Sequence, residues 1–494
     1  MKQNKKITIF LVFLSGFLFG ALMFSLNKIF NTPYAYAEPV STNSQAASSD
    51  EDNYFKYFKM FNESYLIIKR EFYEKNALTS KNLIYGAIKG MLESLDDPYT
   101  TFMDPSVSKE FSIDVTGSFG GLGIQIDIRD GWLTVIAPME DTPAWRAGIK
   151  PGDKVIEIEG VSTKGITVKE AIDKLRGKIG TKVTITVARE GISEPFKVTL
   201  RREEIKLRTV KTDTINYGKK KIAYIKLLEF SMPTAEEFKK QLSSSLEKHP
   251  DGLIVDLRNN PGGLLNVVTI CANFFIDEGL IVYTRGRLPE NNQDYRAKPE
   301  EAFVPKDLPM VVLINQGSAS ASEIFAGAMK DTGRAVIVGM KSFGKGSVQK
   351  TYVFPQDGST IKYTVAKYFT PSGALIDKIG LMPDVEEKIW YETLNEEEKN
   401  SLIKMQNTNF IKEFLTENPS YTEEKLQDFR KELISKGYTI SEKSLLFLIK
   451  NKKSENQIPP VYDLEFDNQL KKSLDVLESY NQYKKPFKVY NEAK

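Results

Sequence analysis

Residues 339–347 read GMKSFGKGS, and the role assigned to Lys345 decides what kind of fold surrounds it. A phosphate-cradling loop reads G-x-x-x-x-G-K-[ST], and Gly339 to Lys345 supplies seven of its eight positions. The eighth is Gly346, where a Ser or Thr hydroxyl should meet magnesium. Such a loop also runs straight into a helix whose first amides bind the phosphates. Here AVIVG (335–339) offers the preceding strand, but the following GSVQKTYVFPQDGSTIKYTVAKYF (346–369) alternates β-branched and aromatic residues around a QDGS turn. That pattern predicts a hairpin rather than a helix, so the nucleotide reading fails.

A lysine between Gly344 and Gly346 suits another task. Glycines let backbone approach closely, and burial favours the neutral amine, which is a base. A lysine base needs a nucleophile. The chain has one histidine, His249 in LEKHPDG (246–252), at a polar helix end where it reads as surface or helix-terminal charge. A single histidine excludes metal sites with two or three histidine ligands, and leaves Ser-His or Cys-His chemistry resting on one badly placed residue. The lone cysteine, Cys271, lies in apolar VVTICANFF (267–275) and reads as a buried small hydrophobe. Serine is the remaining partner. VVLINQGSASASEIFAGAMKD (311–331) predicts a strand, a loop and a helix starting near Ala321, with Ser320 at the junction. There the helix dipole lies beside the hydroxyl, and the Ala321 amide can stabilise an oxyanion. Taken alone, Ser318, Ser320 and Ser322 read equally well as cap and loop residues.

Outward from this centre the chain of 494 residues allows two to four folded units, and its net charge of +3 gives no nucleic-acid signal. Basic MKQNKK (1–6) precedes twenty residues without a charge, Ile7–Leu26, long enough to span a bilayer. Basic residues stay in the cytoplasm, so the expectation is a single-pass cell-membrane anchor with the remainder extracytoplasmic, in a periplasm or at the cell exterior. The sequence AYA (35–37) could instead mark cleavage of a signal sequence. Residues 27–52 read as a linker, with EPVSTNSQAASSDED (38–52) as a flexible tether. Residues 53–112 read as helical, with a stripe at Ile84, Ile88, Met91, Leu92 and Leu95, candidate caps at Thr79 and Ser80, and a turn at DDPYTTF (96–102).

From 113 to 203 the texture becomes short β-rich runs punctuated by glycine. GGLGIQIDI (120–128) is a glycine loop entering a strand, DTPAWRAGIKPGDKVIEIEGV (141–161) a short helix, turn and strand, and VKEAIDKLRG (168–177) an amphipathic helix. This region resembles a PDZ domain of the bacterial type, most specifically in AGIKPGDKVIEIEGV (147–161). Amides of Gly121, Leu122, Gly123 and Ile124 can converge on a peptide's terminal carboxylate, with the peptide adding as a strand along Ile124–Ile128 and packing on the helix at 169–176. Arg176, at the end of that helix, reads as surface charge or as a reporter of peptide occupancy. Residues 204–390 alternate strand-like IAYIKLLEF, GLIVDLR and MVVLINQ with helix-like NVVTICANFF and ASEIFAGAMKD, predicting a sheet covered by helices. Residues 391–494 are lysine- and glutamate-rich and helical, with a packing stripe at Phe466, Leu470, Leu474 and Leu477.

The pair SASASEI (318–324) and SFGKGSVQ (342–349), with DLRNNPGG (256–263) and the stretches FTPSG (369–373) and GLMPD (380–384), resembles the signature of the C-terminal processing peptidases, the tail-specific (S41-like) serine proteases. The resemblance covers about 53–390 and implies an α/β core of the crotonase/ClpP-like type with a mixed sheet at 204–390, a PDZ domain at 113–203, and helical flanks. It implies Ser320 as nucleophile, Lys345 as base, Gln349 orienting that lysine, and Gly263 and Ala321 as oxyanion donors. Asp331, eleven residues after Ser320, reads as a helix-end structural acid rather than a triad member, because a lysine has no tautomer to fix. Implied partners are proteins presenting free C-termini, the membrane, and a second copy in a homodimer; no metal, cofactor, nucleotide or nucleic acid is implied. The alternative is a catalytically silent PDZ scaffold.

Overall fold

The structure is a computed structural model and describes residues 48–75, 78–406, 408–454 and 460–493. The expected anchor at 7–26, the AYA site and the tether up to residue 47 lie outside the described residues. No helix among the described residues is long and apolar enough to cross a membrane. The tether expected to reach residue 52 ends earlier, because a helix already begins at Ser48.

The chain divides into two compact units after Ala87. In the first, the helix Ser48–Glu71 carries a row of aromatic and aliphatic side chains, among them Tyr54, Phe55, Phe58, Phe61 and Ile67, that remain exposed. Tyr65 donates to Ser80 Oγ at 2.7 Å and Lys69 to the Leu78 carbonyl at 2.6 Å, tying this helix to the start of the next. That next helix, Ser80–Glu93, is capped by Thr79, whose hydroxyl accepts from the Asn82 amide at 3.1 Å. Of its expected stripe only Leu92 is buried, while Met91 and Leu95 stay in solvent.

In the second unit the main sheet runs Val210–Tyr217, Lys220–Leu227, Gly252–Asp256, Met310–Ile314, Val336–Gly339 and Val385–Glu386 in that spatial order. Its first pair is antiparallel and the others are parallel. The three central strands are buried at every position, which explains why their sequences are unbroken apolar runs rather than alternating ones. One face packs on the helices Thr234–Leu246, Leu265–Asn273 and Ala321–Asp331 through Phe238, Val268, Cys271 and Phe325. A second sheet holds the hairpin expected after Lys345: Ser347–Val353 pairs antiparallel with Thr360–Phe369, which also pairs with Thr101–Met103 and Leu280–Gly286.

Residues 113–203 form a separate antiparallel sheet, Ile124–Arg129, Trp132–Pro138, Lys154–Ile158, Lys182–Ala188 and Phe196–Arg201, with its own core around Leu133, Val155 and Ile185. The chain enters and leaves this module through two paired strands, Ser118–Gly121 and Glu203–Lys206. That neck fixes where the module hangs from the main sheet.

Packing on the main sheet continues beyond residue 390. Helices from Glu396 to Ser454 build their own cluster around Phe414, Phe429 and Leu445. The helix Asn468–Glu478 then returns to cover the second face of the main sheet, with Leu470, Leu474 and Leu477 against Tyr224, Ile254 and Leu313. The sequence stripe is therefore packing within the chain, on the outer face of the main sheet for its three leucines. The last described residues follow: Lys488 N–H donates to the Thr332 carbonyl at 2.9 Å, and Leu280 N–H to that of Tyr490 at 2.7 Å.

A buried polar knot locks this return. Asp256, fully buried at a strand end, accepts from Arg258, which also donates to Asp467 at 2.7 Å, and Tyr224 donates to the same Asp256 carboxylate at 2.5 Å. Burial alone would push the Asp256 carboxyl up, but the Arg258 charge and hydrogen bonds hold it below its ordinary range. Its contribution to stability is therefore present above about pH 4 and is lost as pH falls through the folded value. Arg258→Ala leaves the buried Asp256 and the half-buried Asp467 without their cation, and about 3–5 kcal/mol of unfolding free energy is expected to disappear in urea titrations at pH 7. A loss below about 1 kcal/mol would show that the knot is solvated.

Candidate active site

The loop after Met310–Ile314 sorts its three serines. Ser318 Oγ donates to the Leu257 carbonyl at 2.8 Å and accepts from the Asn315 amide at 2.9 Å. Ser322 Oγ donates to the Asn260 carbonyl at 2.9 Å. Both are fully buried and serve the loop. Ser320, between them, lines a cleft of about 490 Å³ together with Gly263, Ala321, Lys345, Gln349 and Tyr368. Its backbone has φ 53° and ψ −113°, a conformation that non-glycine residues adopt only when their surroundings impose it.

Those surroundings centre on Glu323, which is 1% exposed. Its carboxylate accepts the Ser320 N–H at 2.8 Å and the Lys345 N–H at 2.9 Å through one oxygen. The other oxygen accepts the Gly344 N–H at 2.7 Å and the Ser342 hydroxyl at 2.5 Å. One side chain thus joins the serine loop to the lysine loop. Tyr368 reinforces the joint, its hydroxyl lying in donor range of the carbonyls of both Ser320 and Lys345. Glu323 stands three residues after a serine at a helix start, the spacing of a capping box, and that was the available signal for it in the sequence.

Lys345 is largely withdrawn from water, with its ammonium 5.1 Å from the centre of the Tyr99 ring. Burial pulls its pKa below the ordinary 10.5, Lys362 pulls the same way, and Glu323 and Asp97 oppose them. Close backbone packing helps enclose it: a Cβ on Gly346 would sit 2.2 Å from the Asp377 amide nitrogen. Tyr99 comes from the DDPYTTF turn, whose proximity to Lys345 no local pattern encodes. Gln349 lines the same cleft, but its amide donates to Ser347 Oγ at 2.8 Å and Thr364 Oγ1 at 3.3 Å. The strand starts only at Ser347, and its register shifts between Val348 and Gln349, so simple alternation does not relate Gln349 to Lys345. No hydrogen bond joins Ser320 to Lys345 among the described residues.

Gly263 has φ 145°, and a Cβ there would fall 2.3 Å from the Phe230 carbonyl oxygen, so the position requires glycine. The flanking bonds, Phe230 N–H to the Gly262 carbonyl at 2.8 Å and Leu264 N–H to the Phe230 carbonyl at 2.7 Å, fix this segment beside Ser320. The Gly263 and Ala321 amides donate to no other group among the described residues. Asp331 lies at the far end of its helix, where it accepts the Ser372 amide at 2.9 Å. His249 is exposed after its helix, with φ 50°.

A second groove, of about 500 Å³, lies between Ile124–Arg129 and the helix Val168–Leu175 and is lined by Leu122, Gly123, Ile124, Ile126, Ile172 and Arg176 among others. The strand is at the edge of its sheet, so its outer edge has no neighbouring strand in that sheet. Gly121 falls outside this lining, at a strand end opposite Glu203. Arg176 stacks over Phe119 at 4.2 Å and donates to Glu110 at 2.8 Å. Glu110 belongs to the helix Pro105–Thr116, whose Phe111, Asp114 and Val115 line the serine cleft.

Comparison with known proteins agrees with this arrangement. A family model described as peptidase family S41 matches residues 221–387, one described as a PDZ domain matches 134–189, and one described as the activating protease CtpB N-terminal domain matches 17–107. The chain is 38% identical over 332 residues to the carboxy-terminal processing protease CtpA of Bacillus subtilis, covering 67% of this chain and 69% of that one. It is 38% identical over 379 residues to a carboxyl-terminal-processing protease of a Synechocystis strain, covering 74% and 85%. A solved photosystem II D1 C-terminal processing protease shares 29% identity, covers 66% of this chain and 92% of its own, and superposes with a TM-score of 0.40. The chain belongs to the carboxy-terminal processing proteases of peptidase family S41, and is a serine-type C-terminal processing peptidase with a PDZ domain.

Removing the Glu323 carboxylate orphans three amides and a hydroxyl where little water reaches. Glu323→Ala is expected to lower kcat at least about tenfold while tail-peptide affinity of the PDZ groove stays unchanged, as read by steady-state kinetics and peptide titration. Glu323→Gln, which keeps an acceptor, should recover part of the loss; equal losses in both variants would mean that the carboxylate does not position the loops.

Proposed function

We propose that this peptidase works through a Ser320–Lys345 dyad. The observation that carries the reading is one cleft holding a hydroxyl on strained backbone, a poorly solvated amine and two unengaged amides. Neutral Lys345 takes the Ser320 proton, and Ser320 Oγ attacks the scissile carbonyl. The Gly263 and Ala321 amides hold the oxyanion, the protonated lysine supplies the leaving amine with its proton, and water releases the acyl-enzyme. Gln349 turns from Ser347 to orient the lysine when the site tightens around substrate, as catalytic hydrogen bonds often do.

The substrate tail adds to Ile124–Ile128, with its carboxylate at the amides of Leu122, Gly123 and Ile124 and its apolar side chains on Ile172. Arg176 is the link between that groove and the cleft, since its partner Glu110 shares a helix with cleft-lining residues. The body works outside the cytoplasm on a membrane anchor at 7–26, supported by the uncharged run behind MKQNKK. Two copies pair through the exposed apolar face of Ser48–Glu71, because a solvent-facing row of this kind needs covering.

Ser320→Ala and Lys345→Met are each expected to reduce cleavage of a tailed reporter by about 10³-fold or more with PDZ binding intact. Substantial turnover in Lys345→Met would remove lysine from the chemistry. For Arg176→Ala the expected outcome is loss of the difference in rate between reporters with free and amidated C-termini, measured at saturating substrate. An unchanged difference would sever Arg176 from the coupling.

A further inference from the structure

The serine cleft contains two carboxylates that the chemistry above does not use. Glu229 immediately precedes Phe230, the residue whose N–H and carbonyl hold the Gly262–Leu264 segment. Asp114 belongs to the helix Pro105–Thr116, and both line the cleft with Ser320. One Glu229 oxygen is buried and accepts no hydrogen bond. Burial pushes the Glu229 carboxyl up, the Ser231 hydroxyl pulls it down, and the Asp114 charge adds to the rise; Asp114 is likewise raised, by burial and by Glu110, with Arg176 opposing.

No cation within reach is committed to them. The Lys345 ammonium lies over Tyr99 and that of Lys362 over Phe111, 5.7 Å from the ring centre. Arg176 spends its guanidinium on Glu110. Among the described residues neither carboxylate forms an ion pair. Glu229, half-buried beside the exposed Asp114 and without a counter-ion, is costly to keep charged, and a cation delivered into the cleft relieves it. Besides Lys345, Lys362 and several polar groups, the cleft is lined by Phe111, Val115, Leu264, Ile324 and Val348, surfaces that suit the aliphatic stem of a lysine or arginine while its head reaches the carboxylates.

We propose that Glu229, with Asp114, forms a subsite for a basic side chain close to the scissile bond, so that this peptidase selects tailed proteins carrying Lys or Arg near the cut. The proposal rests on the Ser320–Lys345 reading of the same cleft. It adds a second filter to the tail: the PDZ groove reads the C-terminus, and the acidic pair reads the sequence being cut.

The test is a positional scan of tailed peptides in which each residue flanking the cut is lysine or norleucine. The readout is the ratio of kcat/KM values for the two, taken within each enzyme so that losses of folded protein cancel. The wild type is expected to favour lysine by about tenfold at one position, Glu229→Gln to bring the ratio near one, and Glu229→Lys to favour glutamate there. A wild type with no lysine preference at any position, or a ratio unchanged in Glu229→Gln, overturns the proposal. Cleavage that survives Ser320→Ala overturns the nucleophile assignment instead, so the two failures are distinguishable.

Discussion

The site depends on one buried carboxylate. Glu323 accepts four hydrogen bonds, and these bring together a loop following one strand and a loop preceding a hairpin in another sheet. Two of the bonds go to the amides of Ser320 and Lys345 themselves. Charge-assisted bonds to backbone are short and directional, so they fix both residues without occupying either functional group. The unusual φ of Ser320 is what lets its amide turn toward Glu323 while its hydroxyl faces the cleft. The remaining scaffold supports that arrangement: unbroken apolar strands set the sheet, and the Arg258 knot with the returning C-terminal helix seals its second face.

The PDZ module is attached by a two-stranded neck, and its groove reaches the cleft through few groups. Arg176 sits at the end of the groove-lining helix and pairs across to Glu110, one residue before cleft-lining Phe111. The ion pair is partly exposed, so its intrinsic worth is small, of the order of 1 kcal/mol or less. A contact of that size can be exchanged on binding a peptide, which suits a reporter better than a rigid brace.

Much of this was legible in the chain. The hairpin after Lys345 followed from β-branched alternation, the helix Ala321–Asp331 from the strand-loop-helix order of its segment, and the groove helix Val168–Leu175 from its amphipathic face. The roles of Ser318 and Ser322 were not legible, because only the fold shows which serine hydroxyls bond to the main chain. Tyr99 and Tyr368 were also hidden, since they reach Lys345 across long sequence separations. Gln349 illustrates where period-two reasoning ends: a register shift re-aims the strand just where the lysine loop joins it. The partner of the C-terminal stripe was hidden for a related reason. An amphipathic helix shows that it packs, but not on what, and Asn468–Glu478 packs on main-sheet residues as remote in sequence as Tyr224, Ile254 and Leu313.

The central claim is that burial makes Lys345 a proton acceptor for Ser320. The most direct measurement is the rate of Ser320 acylation by a serine-directed reagent, followed by intact mass across a pH series. The account predicts a rate that rises with pH through an inflection below 10.5, as Lys345 loses its proton, and a rise that is absent in Lys345→Met. A flat profile, or the same profile in Lys345→Met, would contradict it.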